Sequence, residues 1–343
     1  MVAAIKPLVD TNRIELHNSA PLGSPLVLYV EASGFCNLKC KYCPHYTSPE
    51  ELIKNNMTLE MFKKVADDMK ELGGIKLLRF CGTGETLLNK KFIEMAKYAK
   101  ESKASDRIEV ITNGVLINER LSTEMPKYLD RVIVSIEGLD DQGYSDFAGS
   151  KVDFDKLVGN IAMLHENSGS CKIHVKIHNH AASNKEEIER FFRIFRPICD
   201  EVYVENLVSM WPEVAPDASN LGIDAGYRFG GEITPRKVCV QIFKSMLVNA
   251  NGDVVPCCVD FKRVNMIGNV EKETLMEIWN GKLMRDLQLR HLQGLKNQTR
   301  PCVDCTMNDY GDPDNIDAYA DEILDRIYNL PQSVGGHVTK LAV

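Results

Sequence analysis

The sequence predicts an α/β protein, a partial (β/α)6 TIM-like barrel followed by a small C-terminal domain made of a β-hairpin and a helix. Three observations predict it. Between residues 26 and 205, six short apolar runs alternate with amphipathic segments, the pattern of a parallel sheet buried under helices. Over residues 210–235 these repeats give way to a segment with three prolines and little periodicity. Beyond it, Asn249 to Gly252 reads as a turn between two apolar runs, a hairpin signal outside the barrel repeats.

The elements follow in order. Residues 26–30 (Leu-Val-Leu-Tyr-Val) form a buried strand. Thr58 is an N-cap, and the helix after it carries Met61, Phe62, Val65 and Met69 at helical spacing. The next strands are expected at 76–80, 108–112, 132–136, 172–177 and 202–205, with helices at 90–101, 154–165 and 185–195. A last helix is expected at 273–280. The chain divides into an N-terminal extension at 1–25, the barrel at 26–210, a linker at 211–236, the C-terminal domain at 237–330 and a Gly-rich tail at 331–343. In such barrels the site lies at the C-terminal ends of the strands.

Composition narrows the function. The 343 residues are 44% hydrophobic and 26% charged, as in a globular protein with a sizeable core, and the net charge of −7 speaks against nucleic acid or an anionic membrane as partner. There is no run of eighteen apolar residues, and the N-terminus lacks the basic and apolar regions of a signal peptide. A cytoplasmic protein is expected.

Eleven cysteines are many for such a protein, and in a reducing compartment clustered thiols point to metal binding or catalysis. Cys36, Cys40 and Cys43 crowd one loop directly after the first strand, while five more lie between Cys239 and Cys305. A [4Fe–4S] cluster has four irons and usually four cysteine ligands, so three thiolates from one loop leave an iron open for chemistry.

The spacing C-x3-C-x2-C, with Tyr42 before the last cysteine, resembles the signature of the radical S-adenosylmethionine (SAM) enzymes. Three later segments strengthen the resemblance, each at a predicted strand end. Gly82-Thr-Gly84-Glu85-Thr86 resembles the family's Gly-Gly-Glu-Pro motif, with Thr83 separating the glycines and Thr86 in place of proline. Thr112-Asn113-Gly114 is a recurrent family motif, and Ser135-Ile-Glu137-Gly138 resembles its Ser-Ile-Asp-Gly segment. The family's downstream Arg-Gly is here Ala148-Gly149. The resemblance implies a cluster on Cys36, Cys40 and Cys43. It also implies SAM contacts at Tyr42, Gly82, Gly84, Glu85, Thr112, Asn113 and Ser135.

The second module is similar to the SPASM/twitch auxiliary-cluster domains. Cys239, Gly252 and Cys257 fit their opening C-x(9–15)-G-x4-C, and Ile267-Gly-Asn269 and Ile278-Trp-Asn-Gly continue the match. Cys302 and Cys305 supply the next pair, and no cysteine follows. This implies the shorter twitch form, with one auxiliary cluster on Cys239, Cys257, Cys302 and Cys305. Two [4Fe–4S] clusters, SAM, a small-molecule substrate and an external electron donor such as flavodoxin or ferredoxin are then expected. The auxiliary spacing is similar to that of twitch enzymes that oxidise a cyclitol alcohol. Dehydrogenation of a sugar, cyclitol or small metabolite is therefore the leading expectation. Epimerisation with a cysteine hydrogen donor, peptide modification and a non-catalytic electron carrier are the alternatives.

Other residues keep two readings. Structural zinc on the first triplet would need a fourth ligand, and only His45 is near in sequence. Cys258 is a replacement ligand, a core thiol or a hydrogen-atom donor. Cys81, Cys171 and Cys199 are read as packing. His174, His178 and His180 share one face of the fifth strand and, with Glu205, are either substrate contacts or satisfied polar residues.

Overall fold

The computed structural model describes residues 2–9, 13–208, 211, 228–229, 235–305, 307–310 and 313–330. Most of the linker expected at 211–236, and the whole tail at 331–343, lie outside the described residues.

Ten strands make one sheet. They are β1 (Ala4–Ile5), β2 (Val27–Val30), β3 (Leu77–Phe80), β4 (Ile108–Thr112), β5 (Arg131–Ile136), β6 (Lys172–His178), β7 (Glu201–Glu205), β8 (Ser245–Val248), β9 (Asp253–Val255) and β10 (Gly268–Asn269). Their order across the sheet is β1-β7-β6-β5-β4-β3-β2-β8-β9-β10. Every pairing from β1 to β8 is parallel, and only β8-β9 and β9-β10 are antiparallel. The two edges, β1 and β10, do not meet, so the barrel is partial and open.

Helices cover the outer face. Thr58 caps the helix Leu59–Glu71, its side chain accepting from the Met61 amide, and Phe62, Val65 and Met69 are buried under it. In β6 the alternation divides the residues cleanly. Ile173, Val175 and Ile177 enter the main core, while His174, Lys176 and His178 take the inner face. The inside of this barrel is therefore polar.

Two parts of the chain differ from expectation. The N-terminal segment is not only an extension, because Ala4 and Ile5 pair with Glu201 and Val202 and supply one sheet edge. The hairpin is continuous with the barrel, because β8 runs parallel to β2 from Val27↔Ser245 to Val30↔Val248. β9 then runs back antiparallel to β8, so the chain that follows it, with Cys257 and Cys258, returns from the end of β2 toward its start. Four helices of eight or more residues were also not foreseen, Glu119–Tyr128, Asp141–Ala148, Lys282–Leu292 and Ala320–Tyr328.

A second core joins Leu16, Val240, Phe243, Leu289 and Ile323. Trp279, on the helix Leu275–Asn280, is buried in the main core and donates from Nε1 to the Leu22 carbonyl at 2.9 Å. Trp279→Ala is expected to cost about 3–5 kcal/mol, read as a lower denaturant midpoint. A cost below about 1 kcal/mol would show that this helix does not anchor the C-terminal region.

Candidate active site and thiol sites

Cys36, Cys40 and Cys43 lie in the loop after β2, at the C-terminal ends of the strands, as the barrel rule requires. The loop is fixed through its backbone. The Cys43 amide donates to the Cys40 carbonyl at 2.9 Å, and the Glu85 amide donates to the Phe35 carbonyl at 2.7 Å. Lys39 and Lys41 amides donate to the Ala148 and Phe147 carbonyls at 2.8 and 3.1 Å. Gly149 has φ +60°, and a Cβ there would stand 3.1 Å from the Lys39 carbonyl. Ala148-Gly149 thus packs directly on the cysteine loop.

The three cysteines line one cavity of about 280 Å³. Tyr42, Gly82, Gly84, Glu85, Thr112, Asn113 and Ser135, the residues expected to contact SAM, line the same cavity. Two of these have a visible structural duty. A Cβ on Gly84 would lie 2.0 Å from the Ser33 carbonyl oxygen and 2.7 Å from that of Phe35, so only glycine lets the two loops meet. Glu85 accepts from the Leu87 amide at 2.9 Å, the Thr112 hydroxyl at 2.8 Å and the Asn113 amide at 2.8 Å. It is a buried brace between the glycine segment and the Thr112-Asn113 turn. Burial raises its carboxyl, and these donors work against the rise. Gly84→Ala is expected to displace the cysteine loop and to cost more than the roughly 1–3 kcal/mol of side-chain overpacking, because backbone is in the way. Denaturation and SAM binding check this, and wild-type values in both would contradict it.

Deeper in the cavity, Tyr42 donates from its hydroxyl to both oxygens of Glu137 at 3.2 and 3.3 Å. His178 Nδ1 accepts from the Ala181 amide at 3.1 Å, which leaves the proton on Nε2. That nitrogen stands 3.3 Å from Glu137, off the hydrogen-bond line, so the contact is electrostatic. The three histidines therefore separate. His178 lines the cavity, His174 is buried lower in the barrel 3.2 Å from Glu201, and His180 is exposed. His180 lies 5.1 Å from the Phe147 ring.

Glu205 lines the cavity as well, held by Lys176 and by Arg228, which donates from Nε and Nη2 at 3.0 Å. Sequence reasoning missed Lys176 and Arg228. Lys176 shares the inward period of His174 and His178 and was legible there, whereas Arg228 lies in an aperiodic segment with no signal. Burial raises the Glu205 carboxyl, but Arg228 and Lys176 outweigh it and bring it to about 2. His174, against partial burial and with Arg131 and Lys6, holds Glu201 at about 2. Both groups sit below their ordinary 4.5, so their stabilisation is complete above that pH and is lost as pH falls towards 2. Wild-type unfolding midpoints should drop through this window, and Glu205→Gln should flatten part of the drop. An unchanged acid slope in the variant would contradict the assignment.

The second thiol set is also gathered. Cys239, Cys257, Cys302 and Cys305 line one small cavity beneath the hairpin. Cys258 lines this cavity and the first one too. All eleven cysteines are free of disulfides. Burial pushes the Cys36 thiol to about 11 and the Cys43 thiol to about 12, and it holds Cys40 and Cys257 well above the ordinary thiol value. Neighbouring thiols add to the rise at Cys40, Cys43 and Cys257, so each set is close enough to act as one donor group. Metal binding would release those protons. Among the described residues no three His, Cys, Asp or Glu side chains are placed to hold a single metal ion, and His45 does not line the first cavity. Three or four thiols spread around a shared cavity are the donor chemistry of an iron–sulfur cluster rather than of one zinc ion.

Comparison with known proteins agrees with this geometry. The model of the radical SAM superfamily matches residues 30–194, and that of an iron-sulfur cluster-binding domain matches residues 239–306. Residues 30–194 are a radical SAM domain, followed by an iron-sulfur cluster-binding domain. Together the two domains imply [4Fe–4S] clusters and SAM as cofactors. A tungsten-containing aldehyde ferredoxin oxidoreductase cofactor-modifying protein of Pyrococcus furiosus is 24% identical over 86% of this chain and 92% of its own. Streptococcus suis SuiB bound to precursor peptide SuiA superposes with a TM-score of 0.63 and 17% identity, over 86% of this chain and 72% of its own. BtrN in complex with AdoMet and 2-DOIA superposes with a TM-score of 0.57 and 18% identity, over 82% of this chain and 92% of its own. At these identities the two structures share the radical SAM fold with this chain. Among the described residues, no helix is long and apolar enough to cross a membrane.

Proposed function

We propose that this chain is a radical SAM dehydrogenase that oxidises an alcohol carbon of a sugar, cyclitol or related small metabolite to a ketone. Cys36, Cys40 and Cys43 hold one [4Fe–4S] cluster, and Cys239, Cys257, Cys302 and Cys305 hold the other. When bound, the clusters and SAM supply removal of the hydrogen atom from carbon and an acceptor for the electron left behind. An external donor of the flavodoxin or ferredoxin kind provides the reducing electron.

The chain's residues do the rest. An alcohol becoming a ketone sheds a hydrogen atom, an electron and the hydroxyl proton. Glu85 is saturated by three protein donors, and Glu205, held near 2 by Arg228 and Lys176, is a poor base. Among the described residues Glu137 accepts from Tyr42 alone, with His178 beside it, and we assign it the proton. Tyr42, Gly82, Gly84, Thr112, Asn113 and Ser135 shape the part of the cavity that takes SAM.

One observation carries this reading: Cys258, next to Cys257, walls both the cavity of the first cysteine triplet and that of the second thiol set. A substrate in the first cavity would therefore face the second thiol set across this wall. Anaerobic turnover against a panel of cyclitols and sugars should yield 5′-deoxyadenosine and a ketone together. Product at an unchanged oxidation level would sink the dehydrogenase assignment. The same position of Cys258 favours a second reading, epimerisation with that thiol as hydrogen donor. Solvent deuterium at the reacting carbon, lost in Cys258→Ala, would identify it.

A further inference from the structure

A second cavity, of about 820 Å³, adjoins the first. The two share Tyr29, Arg79, Ile111, Arg228, Cys258 and Met307 as common wall. The second reaches the opposite face of the barrel. Val27, Leu77 and Arg131 in its wall are the first residues of β2, β3 and β5, and Lys6 and Lys76 stand at its rim.

Its charge is at odds with the rest of the chain. The protein carries −7 overall, yet among the described residues eight lysines and arginines line this cavity against two acids, Asp106 and Asp314. Three arginines are deep, with side-chain exposures of 16% for Arg79, 15% for Arg131 and 17% for Arg228, and Lys244, at 13%, is paired with Asp314. Carboxylates orient them from beside or behind the wall. Arg79 donates to Glu109 from Nε and Nη2 at 2.9 and 2.6 Å, and Arg228 is held by Glu205. Glu109 is shared between Arg79, Arg107 and Arg131.

Arg131 is the least satisfied of the three. It lies 3.5 Å from Glu109 and 3.6 Å from Glu201, makes no hydrogen bond to either, and its buried Nε has no partner. A guanidinium that has lost most of its water and keeps unused donors carries a desolvation cost. A ligand with a planar or tetrahedral set of anionic oxygens would offset that cost through bidentate contact.

We propose that the substrate carries an anionic group, a phosphate or a carboxylate, seated on Arg79, Arg131 and Arg228. The rest of the molecule passes the shared wall into the cavity of Cys36, Cys40 and Cys43. That second half rests on the dehydrogenase reading, whereas the anion seat does not depend on it.

The test is anaerobic calorimetry on the iron-loaded protein with inorganic phosphate, pyrophosphate and citrate as probes. Saturable binding is expected, phosphate probes and citrate distinguishing the two anion classes. Arg131→Met should weaken it about tenfold or more, the loss of one charge-assisted contact. The Lys6→Met, Lys76→Met double variant changes only partly exposed rim residues, at 45% and 74% side-chain exposure, and keeps the test decisive if Arg131→Met does not fold. It should weaken binding by about twofold or more, and a tenfold rise in ionic strength should weaken it in every form. No saturable binding by any probe, or equal affinity in the variants, would overturn the seat. Anion binding without ketone formation from any substrate would leave the seat standing and remove the dehydrogenase reading instead.

Discussion

Replacing Cys36, Cys40 or Cys43 by alanine is expected to abolish 5′-deoxyadenosine formation and to lower iron from about eight to about four per chain. Changes to outer-shell partners of metal sites cost about 10–100-fold, so loss of a ligand should exceed about a thousandfold. The expectation is specific to these thiols. Cys171 and Cys199 are fully buried, and Cys199 donates from Sγ to the Phe195 carbonyl within the core. Alanine at either should leave the iron count unchanged. An equal fall in iron from Cys171→Ala would mean that the assay reports misfolding and not ligand loss.

Replacing Cys257, Cys302 or Cys305 by alanine should have a different result. Iron should again fall to about four, but SAM cleavage should persist while the ketone product disappears. The prediction follows from the separation of the two cavities, which among the described residues share only Cys258 and Met307 as wall. If SAM cleavage and ketone formation fell together, the two thiol sets would form one functional unit and the division of labour would be wrong.

The barrel strands were legible because burial leaves a local trace. Apolar runs at 108–112 and 172–177 became β4 and β6, the latter one residue longer, and Thr58 capped its helix as its side chain dictates. Contacts made across long sequence distances left none. Nothing near Val27 announces that it will pair with Ser245, and a two-residue strand such as β1 is too short for periodicity. The helix Glu119–Tyr128 carries Pro126 near its end, a residue that argues against helix when read alone.

The site divided in the same way. The cysteine spacings and the glycine segment carry their chemistry in sequence order, so both thiol sets could be found. The inward residues of the strands could not be ranked. His174 and His178 have the same period, yet one meets Glu201 low in the barrel and the other meets Glu137 in the cavity. Arg79, Glu109 and Arg131 each sit singly in an apolar strand, and only the register of the neighbouring strands β3, β4 and β5 brings them together.

The central claim is that two thiol sets hold two clusters and that SAM meets only one. Electron paramagnetic resonance of the reduced protein, titrated with SAM, tests it most directly. Two [4Fe–4S] signals are expected, of which one shifts with SAM. That signal should be missing from Cys36→Ala and retained in Cys305→Ala. A single signal, or a SAM-dependent shift surviving in Cys36→Ala, would contradict the account.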